Sequence, residues 1–367
     1  MNICLRSLLA VMLLCILSSC QNKEQEKHFP INEVLAKASQ LYTVSPTMET
    51  VAVSAGDDTA DDPCIFIHPN DPSLSTIIGT NKNKQKGGLH VYDVNGKEIQ
   101  FVQDGAMNNV DIRYDFSFGK EKTPIVVAGN RSNNSFAIYK VDIKTRKLDR
   151  IPSTAKNLGM NVYGSCLYRS KKDGNFYVFA NDKDGQIKQW QLFESKGKVD
   201  IKHVRTMKVP TQTEGCVADD ALGHLYVGEE VIGIWKFGAD PDAGVQGKLI
   251  DKIGKNITAD VEGLTIYYAD EKTGYLIASS QGNNTYAVYE REGDNKYLGR
   301  FEIASGNGFG GTSDTDGIDV ASVPFGNKFK RGMFVAQDGF NDGKNQNFKC
   351  VPWENIANKF NPPLIVK

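Results

Sequence analysis

Along this chain short apolar runs of four to eight residues alternate with turns rich in Gly, Asn and Asp, and stretches with helical spacing are few. That pattern predicts strands. A run of alternating apolar and polar residues carrying an aromatic near its end recurs six times. It reads GLHVYDV at Tyr92, FAIYKVD at Tyr139, IKQWQLF at Trp190, IGIWKFG at Trp235, YAVYERE at Tyr289 and, more loosely, FKCVPWE at Trp353. The aromatics stand about 45 to 64 residues apart, the length that a blade of four strands needs. Ahead of each lies an apolar run ending on small and polar residues (IIGTN, IVVAGN, YVFAND, LYVGEE, LIASSQ, MFVAQD). Ahead of that is another, opening on a polar residue (DDPCIFIHP, NNVDIRYDF, VYGSCLYRS, TEGCVADDA, VEGLTIYYA, TDGIDVASV). The expected fold is all-β, a six-bladed β-propeller of four-stranded antiparallel blades around a central channel, spanning residues 46–367. Period alone leaves a β-sandwich or paired barrels open.

Antiparallel pairing sets the start of each first strand beside the end of the second, on one rim of the sheet. With the first strands innermost, the opening residues Asp62, Asn109, Tyr163, Glu214, Glu262 and Asp316 form a ring at the channel mouth. Asn81, Asn130, Asn181, Glu229, Glu230, Gln281 and Gln337 share that face. Four of the six opening residues are carboxylates, and Asp61, Asn108, Asp111, Asp260 and Asp314 add oxygen nearby. Carboxylates this dense repel one another unless protonated or neutralised by a hard cation, and all-oxygen ligation favours calcium. A single DG or EG turn is ordinarily a solvated surface turn; six aligned copies shift the balance toward a site.

NDKDG and SDTDGID begin like EF-hand loops, but Phe193 and Phe325 stand where the bidentate glutamate belongs. The same rim loops carry Lys82, Lys84, Lys86, Arg131 and Lys183, which are either surface ion pairs or phosphate clamps. Bound calcium beside free cations suits a polyanion, because the metal reverses the sign of the acidic patch. No RHG run surrounds a histidine, no cysteine is followed five residues later by arginine, and GxSxG and GK[ST] are absent. A covalent phospho-enzyme is disfavoured.

Lys plus Arg number 43 against 44 Asp plus Glu, so charge points to neither a nucleic-acid binder nor a basic membrane-surface protein. Arg6 precedes an apolar run from Leu8 to Leu17 that ends at Ser18-Ser19-Cys20, too short to span a bilayer as a helix. LSSC resembles the bacterial lipobox. Residues 1–19 are therefore read as a lipoprotein signal peptide and Cys20 as the lipidated residue, with an ordinary signal peptide as the alternative. Residues 20–45 are read as the lipidated N-terminus, a polar tether and a short amphipathic helix built on Ile31, Val34, Leu35, Ala38 and Leu41. Gln21, rather than Asp, favours the outer membrane of a bacterial envelope. Cys64, Cys166, Cys216 and Cys350 fall mostly in apolar runs and are expected as buried thiols.

Taken in order from about Asp57 to the C-terminus, NNVDIRYDF, NRS, VYG, TEGCVADDALGHLYVGEE, DVEGLTIYY, IASSQGN, TSDTDGID, AQDG and NQNFKCVPWE resemble the β-propeller phytases. The resemblance implies a propeller stabilised and activated by several calcium ions. It also implies that phosphate is released from calcium-complexed phytate (myo-inositol hexakisphosphate), or a related inositol polyphosphate, without a covalent intermediate, as in a 3-phytase. It implies ligands of the catalytic calcium cluster at Tyr163, Glu214, Glu230, Asp260 and Glu262. Asp61, Asp62, Asn108, Gln281 and Asp316 would be further metal or rim residues. Lys82, Lys86, Arg131 and Lys183 match phosphate-binding positions. Three departures from the family pattern stand out. The lysine loop is longer, leaving Lys84 or Lys86 as the second phosphate lysine; Gly310-Gly311 replaces a common aspartate; and Val231 stands at an often acidic position. A monomer is expected. The reading from another functional class is a non-catalytic, calcium-stabilised surface lipoprotein that binds an anionic ligand.

Overall fold

The computed structural model describes residues 40–367 apart from 55 and 57. Six antiparallel sheets are arranged as a six-bladed propeller. The innermost strands of blades 1 to 6 are Ala60–Phe66, Met107–Phe118, Ser165–Arg169, Thr213–Asp219, Val261–Tyr268 and Ile318–Ala321. Each neighbours the next, and the last neighbours the first, so the ring is closed. The second strands, such as Thr76–Asn81 and Phe176–Asn181, are wholly buried. That explains why they read as unbroken apolar runs rather than alternating ones. Six apolar clusters hold the molecule together, one at each junction between adjacent blades.

Each of the first five blades is completed by an outer strand, for example Lys198–Lys208 in blade 3 and Lys248–Lys252 in blade 4. These outer strands carry little of the apolar pattern, which is why only three strand signals per unit are legible. Blade 6 takes its outer strand from the other end of the chain: Met48–Glu49 pairs with Asn347–Pro352 and links the N-terminal segment to the last blade. Leu41–Val44 adds a fifth, parallel strand to blade 5, in register from Leu41↔Arg300 to Val44↔Ile303. The expected signal peptide, Cys20, the tether and most of the expected helix lie outside the described residues. Leu41, the last apolar position of that helix, is in a strand.

Trp353, expected in the third strand of blade 6, instead opens the short helix Trp353–Ala357. It is fully buried and stacks 4.1 Å from the Tyr267 ring, while its indole donates to the Ile365 carbonyl at 2.9 Å. Among the described residues, Cys64, Cys166, Cys216 and Cys350 are free and buried.

Candidate functional site

In four blades the innermost strand begins with a bulge, two residues opposing a break in the register: Ala60/Pro63, Met107/Val110, Thr213/Cys216 and Val261/Leu264. A bulge re-aims side chains. Aligned on it, the first bulged residues are Asp61, Asn108, Glu214 and Glu262, and Tyr163 and Asp316 precede a glycine in the same way. The second positions are Asp62, Asn109, Gly164, Gly215, Gly263 and Gly317. The mouth ring is therefore Asp61, Asn108, Tyr163, Glu214, Glu262 and Asp316. Asp62 and Asn109, expected in it, stand one residue too far along and line the channel. Asp62 accepts a hydrogen bond from the Val110 amide at 3.0 Å, a latch between blades.

The glycines at the second position have a physical cause. A Cβ on Gly164 would lie 1.8 Å from the Glu214 carbonyl oxygen, and one on Gly215 would lie 2.0 Å from that of Glu262. Each glycine lets the next blade's mouth residue pass close to the axis.

Glu214, Glu230 and Glu262, all buried, place carboxylate oxygens within 4.8 Å of one another. Burial, with the neighbouring negative charges, pushes Glu262 and Asp61 well above the ordinary carboxylate range. Burial also raises Glu230 to about 7 and Asp316 to about 6. Tyr163 is pushed upward by burial and then by the neighbouring Glu214 carboxylate. The Asn108 side-chain amide donates to Glu214 at 2.6 Å. Gln212, which the sequence pattern does not single out, donates to Glu230 at 2.5 Å. Its only signal is its place two residues before Glu214 in TQTEG.

Glu262 Oε2 and Asp61 Oδ2 are buried and have no hydrogen-bond partner among the described residues. Unpaired carboxylate oxygens in such a place are costly. A hard divalent cation would satisfy them, so the residues present fit calcium.

Two cations border the acids and a third, Lys82, lies among them. The Arg131 guanidinium donates to the Asn108 side-chain oxygen Oδ1 at 2.9 Å and lies 5.1 Å from the Tyr163 ring centroid. Lys183 is exposed, with its ammonium 4.3 Å from the same ring. Lys82, expected at a phosphate, is held by carboxylates instead: its ammonium is 2.8 Å from Asp316, 2.8 Å from Asp58 and 3.9 Å from Asp61. Lys84 and Lys86 are exposed in the loop beyond. Gln281 donates to Asp316 at 2.8 Å, and its amide donates to the Asp260 carbonyl at 3.0 Å. Asp260 is half-buried, and its charge helps raise Glu230.

The second-strand ends are not equivalent. Asn181 and Gln337 spend their amides on backbone groups of the neighbouring blade, Asn181 on the Glu214 carbonyl at 2.9 Å and Gln337 on that of Ala60 at 3.3 Å. Glu229 accepts from the Thr211 amide and hydroxyl and from the Trp235 indole. Only Glu230 of that acidic pair faces the cluster. Val231 is exposed beside it, and Gly310 faces Asp342 across a gap that a Cβ would narrow to 2.9 Å.

An acidic, oxygen-only cluster at the mouth of a propeller, bordered by arginine and lysine, has the donor set of a hard-cation site. The family model described as Phytase matches residues 8–366. A 3-phytase of Bacillus subtilis (strain 168) is 48% identical over 327 residues, 86% of this chain and 85% of its own length. The chain belongs to the phytase family. A solved chain of BBS1N, crystallised in complex with ARL6DN, aligns over 84% of this chain and 97% of its own, at a TM-score of 0.44 and 9% identity; that likeness carries no argument.

Proposed function

We propose that this chain is a 3-phytase, a calcium-dependent phosphomonoesterase that releases inorganic phosphate from phytate. The observation that carries the reading is the cluster of Glu214, Glu230 and Glu262, with Glu262 Oε2 unpaired, set beside Arg131 and Lys183. Family membership supports phytate as the substrate.

In this reading Glu214, Glu230, Glu262 and Asp61 hold calcium, with Tyr163, Asp260 and Asp316 at its border. Calcium, when bound, supplies Lewis-acid polarisation of phosphoryl oxygens and acidifies a bound water. The protein's own contribution is positional. Asn108 and Gln212 orient Glu214 and Glu230. The Arg131 guanidinium and the Lys183 ammonium, held over the Tyr163 ring, receive phosphate oxygens and orient a multiply charged ester. No nucleophilic side chain is required, in keeping with water attack. Export and attachment through a lipid on Cys20 to an outer membrane belong to the same proposal, supported by the LSSC motif and its apolar lead; a monomeric state is proposed with them.

The test is phosphate release from phytate and from glycerol phosphate, with calcium and with a chelator. Calcium-dependent release that prefers phytate is expected. No release from phytate at any calcium level would overturn the reading and favour a binding protein.

A further inference from the structure

Lys82 stands apart from the other two cations of the mouth. Arg131 and Lys183 border the acids, whereas the Lys82 ammonium is inserted among them, contacting Asp316 of blade 6, Asp58 ahead of blade 1 and, at 3.9 Å, Asp61 of the ring. Its side chain is 13% exposed, whereas Lys84 and Lys86 on the same loop are in solvent. The loop is anchored at its base, where the Lys82 amide donates to the Thr59 carbonyl at 2.7 Å. The side chain beyond that anchor is a flexible four-carbon stem.

One ammonium cannot satisfy these acids. It has three donors, its contact with Asp61 is long, and Asp61 Oδ2 is left without a partner among the described residues. A divalent cation gathers six to eight oxygens at about 2.3–2.6 Å and carries twice the charge. Both cations cannot occupy the space between Asp61 and Asp316 without strong mutual repulsion.

We propose that Lys82 is a placeholder cation: its ammonium neutralises Asp61 and Asp316 in the metal-free protein and is displaced toward solvent when calcium occupies the mouth. The proposal rests on the calcium reading above and adds an order of events. Metal entry would free a cation at the rim, so the site gains its full positive edge only after calcium is in place. Binding of metal and anion would then be positively coupled, and reciprocally so.

The experiment is amine acylation of the full chain, read residue by residue by peptide mass spectrometry, in chelator and in calcium. Lys84 serves as the exposed reference, and a calcium titration by calorimetry runs in parallel. In chelator Lys82 is expected to react at least about tenfold more slowly than Lys84; in calcium it is expected to gain several-fold while Lys84 is unchanged. Equal protection of Lys82 in both states, with calcium binding seen in the titration, overturns the placeholder and leaves the calcium-dependent function standing. Absence of calcium binding overturns both. Lys82→Met provides a second reading: it should bind calcium several-fold more tightly than the parent, because no internal cation competes, and should melt lower than the parent only in chelator. Calcium binding no tighter than the parent's counts against the proposal.

Discussion

Two sets of buried carboxylates lie within a few residues of each other here, and they are treated oppositely. Along the channel wall each acid accepts a hydrogen bond from the adjoining blade. Asp62, Asp111 and Asp319 accept backbone amides of the adjoining blade, from Val110, Leu167 and Ile65, and Arg113 bridges Asp111 and Asp220. Asp219 and Arg291, both fully buried, join blades 4 and 5 through two hydrogen bonds of 2.6 and 2.8 Å. At the mouth the acids face one another, and two of their oxygens have no partner among the described residues. Neighbouring inner strands of a propeller run parallel and are not joined as a sheet, so carboxylates can serve as the stitches between blades. What sets the mouth apart from the channel wall is therefore the missing partners rather than the acidity.

The comparison is tested most severely by removing one acid from each set. Asp219→Ala should cost about 3–5 kcal/mol, because it strands a buried guanidinium. Chemical denaturation should show that loss equally with calcium and with chelator. Glu262→Gln should do the reverse. Phosphate release should fall by about a hundredfold or more, while the metal-free protein melts no lower than the parent, since a repelling charge has been removed. A metal-free melting point well below the parent's would place Glu262 among the structural acids.

Arg131→Ala should raise KM for phytate by about tenfold to a hundredfold, the loss of a charge-assisted hydrogen bond. Its effect on glycerol phosphate should be smaller; equal losses on both esters would deny it an orienting role.

The smallest effect expected is on pH dependence. Glu230 and Asp316 have pKa values raised in the folded protein, to about 7 and about 6, so the metal-free folded state binds more protons than the unfolded chain between about pH 4 and 7. Stability in chelator should fall as pH rises through that window and level off above it, lowering the melting point by a few degrees between pH 5.5 and 8. Calcium should reverse the trend, because metal binding expels those protons. A melting point in chelator that rises over the same interval would show that the mouth acids are already paired.

The repeat was legible because each blade must bury its second and third strands, and burial writes an apolar run into the sequence wherever it occurs. The outer strands were not, since strands such as Lys198–Lys208 alternate exposed and buried residues and resemble loops. Tyr163, Glu214, Glu262 and Asp316 could be placed at the mouth from sequence because a glycine follows each. In blades 1 and 2 that glycine is Asp62 or Asn109, and the ring was drawn one residue late. A single-residue shift exchanges the two faces of a strand, which moves Asp62 and Asn109 from the mouth into the channel.

By itself, then, the sequence determined the all-β repeat, the identity of the family and the supply of acids and cations on one rim, because these follow from local pattern and residue type. Only the tertiary structure decided which acids have partners, that Glu229 is spent on Thr211 and Trp235 while Glu230 is not, and that the Lys82 ammonium lies among carboxylates. It also decided that Met48–Glu49 completes the last blade. Each of these depends on groups brought together from distant parts of the chain, and whether a buried charge is satisfied is a property of such neighbours, which no stretch of sequence contains.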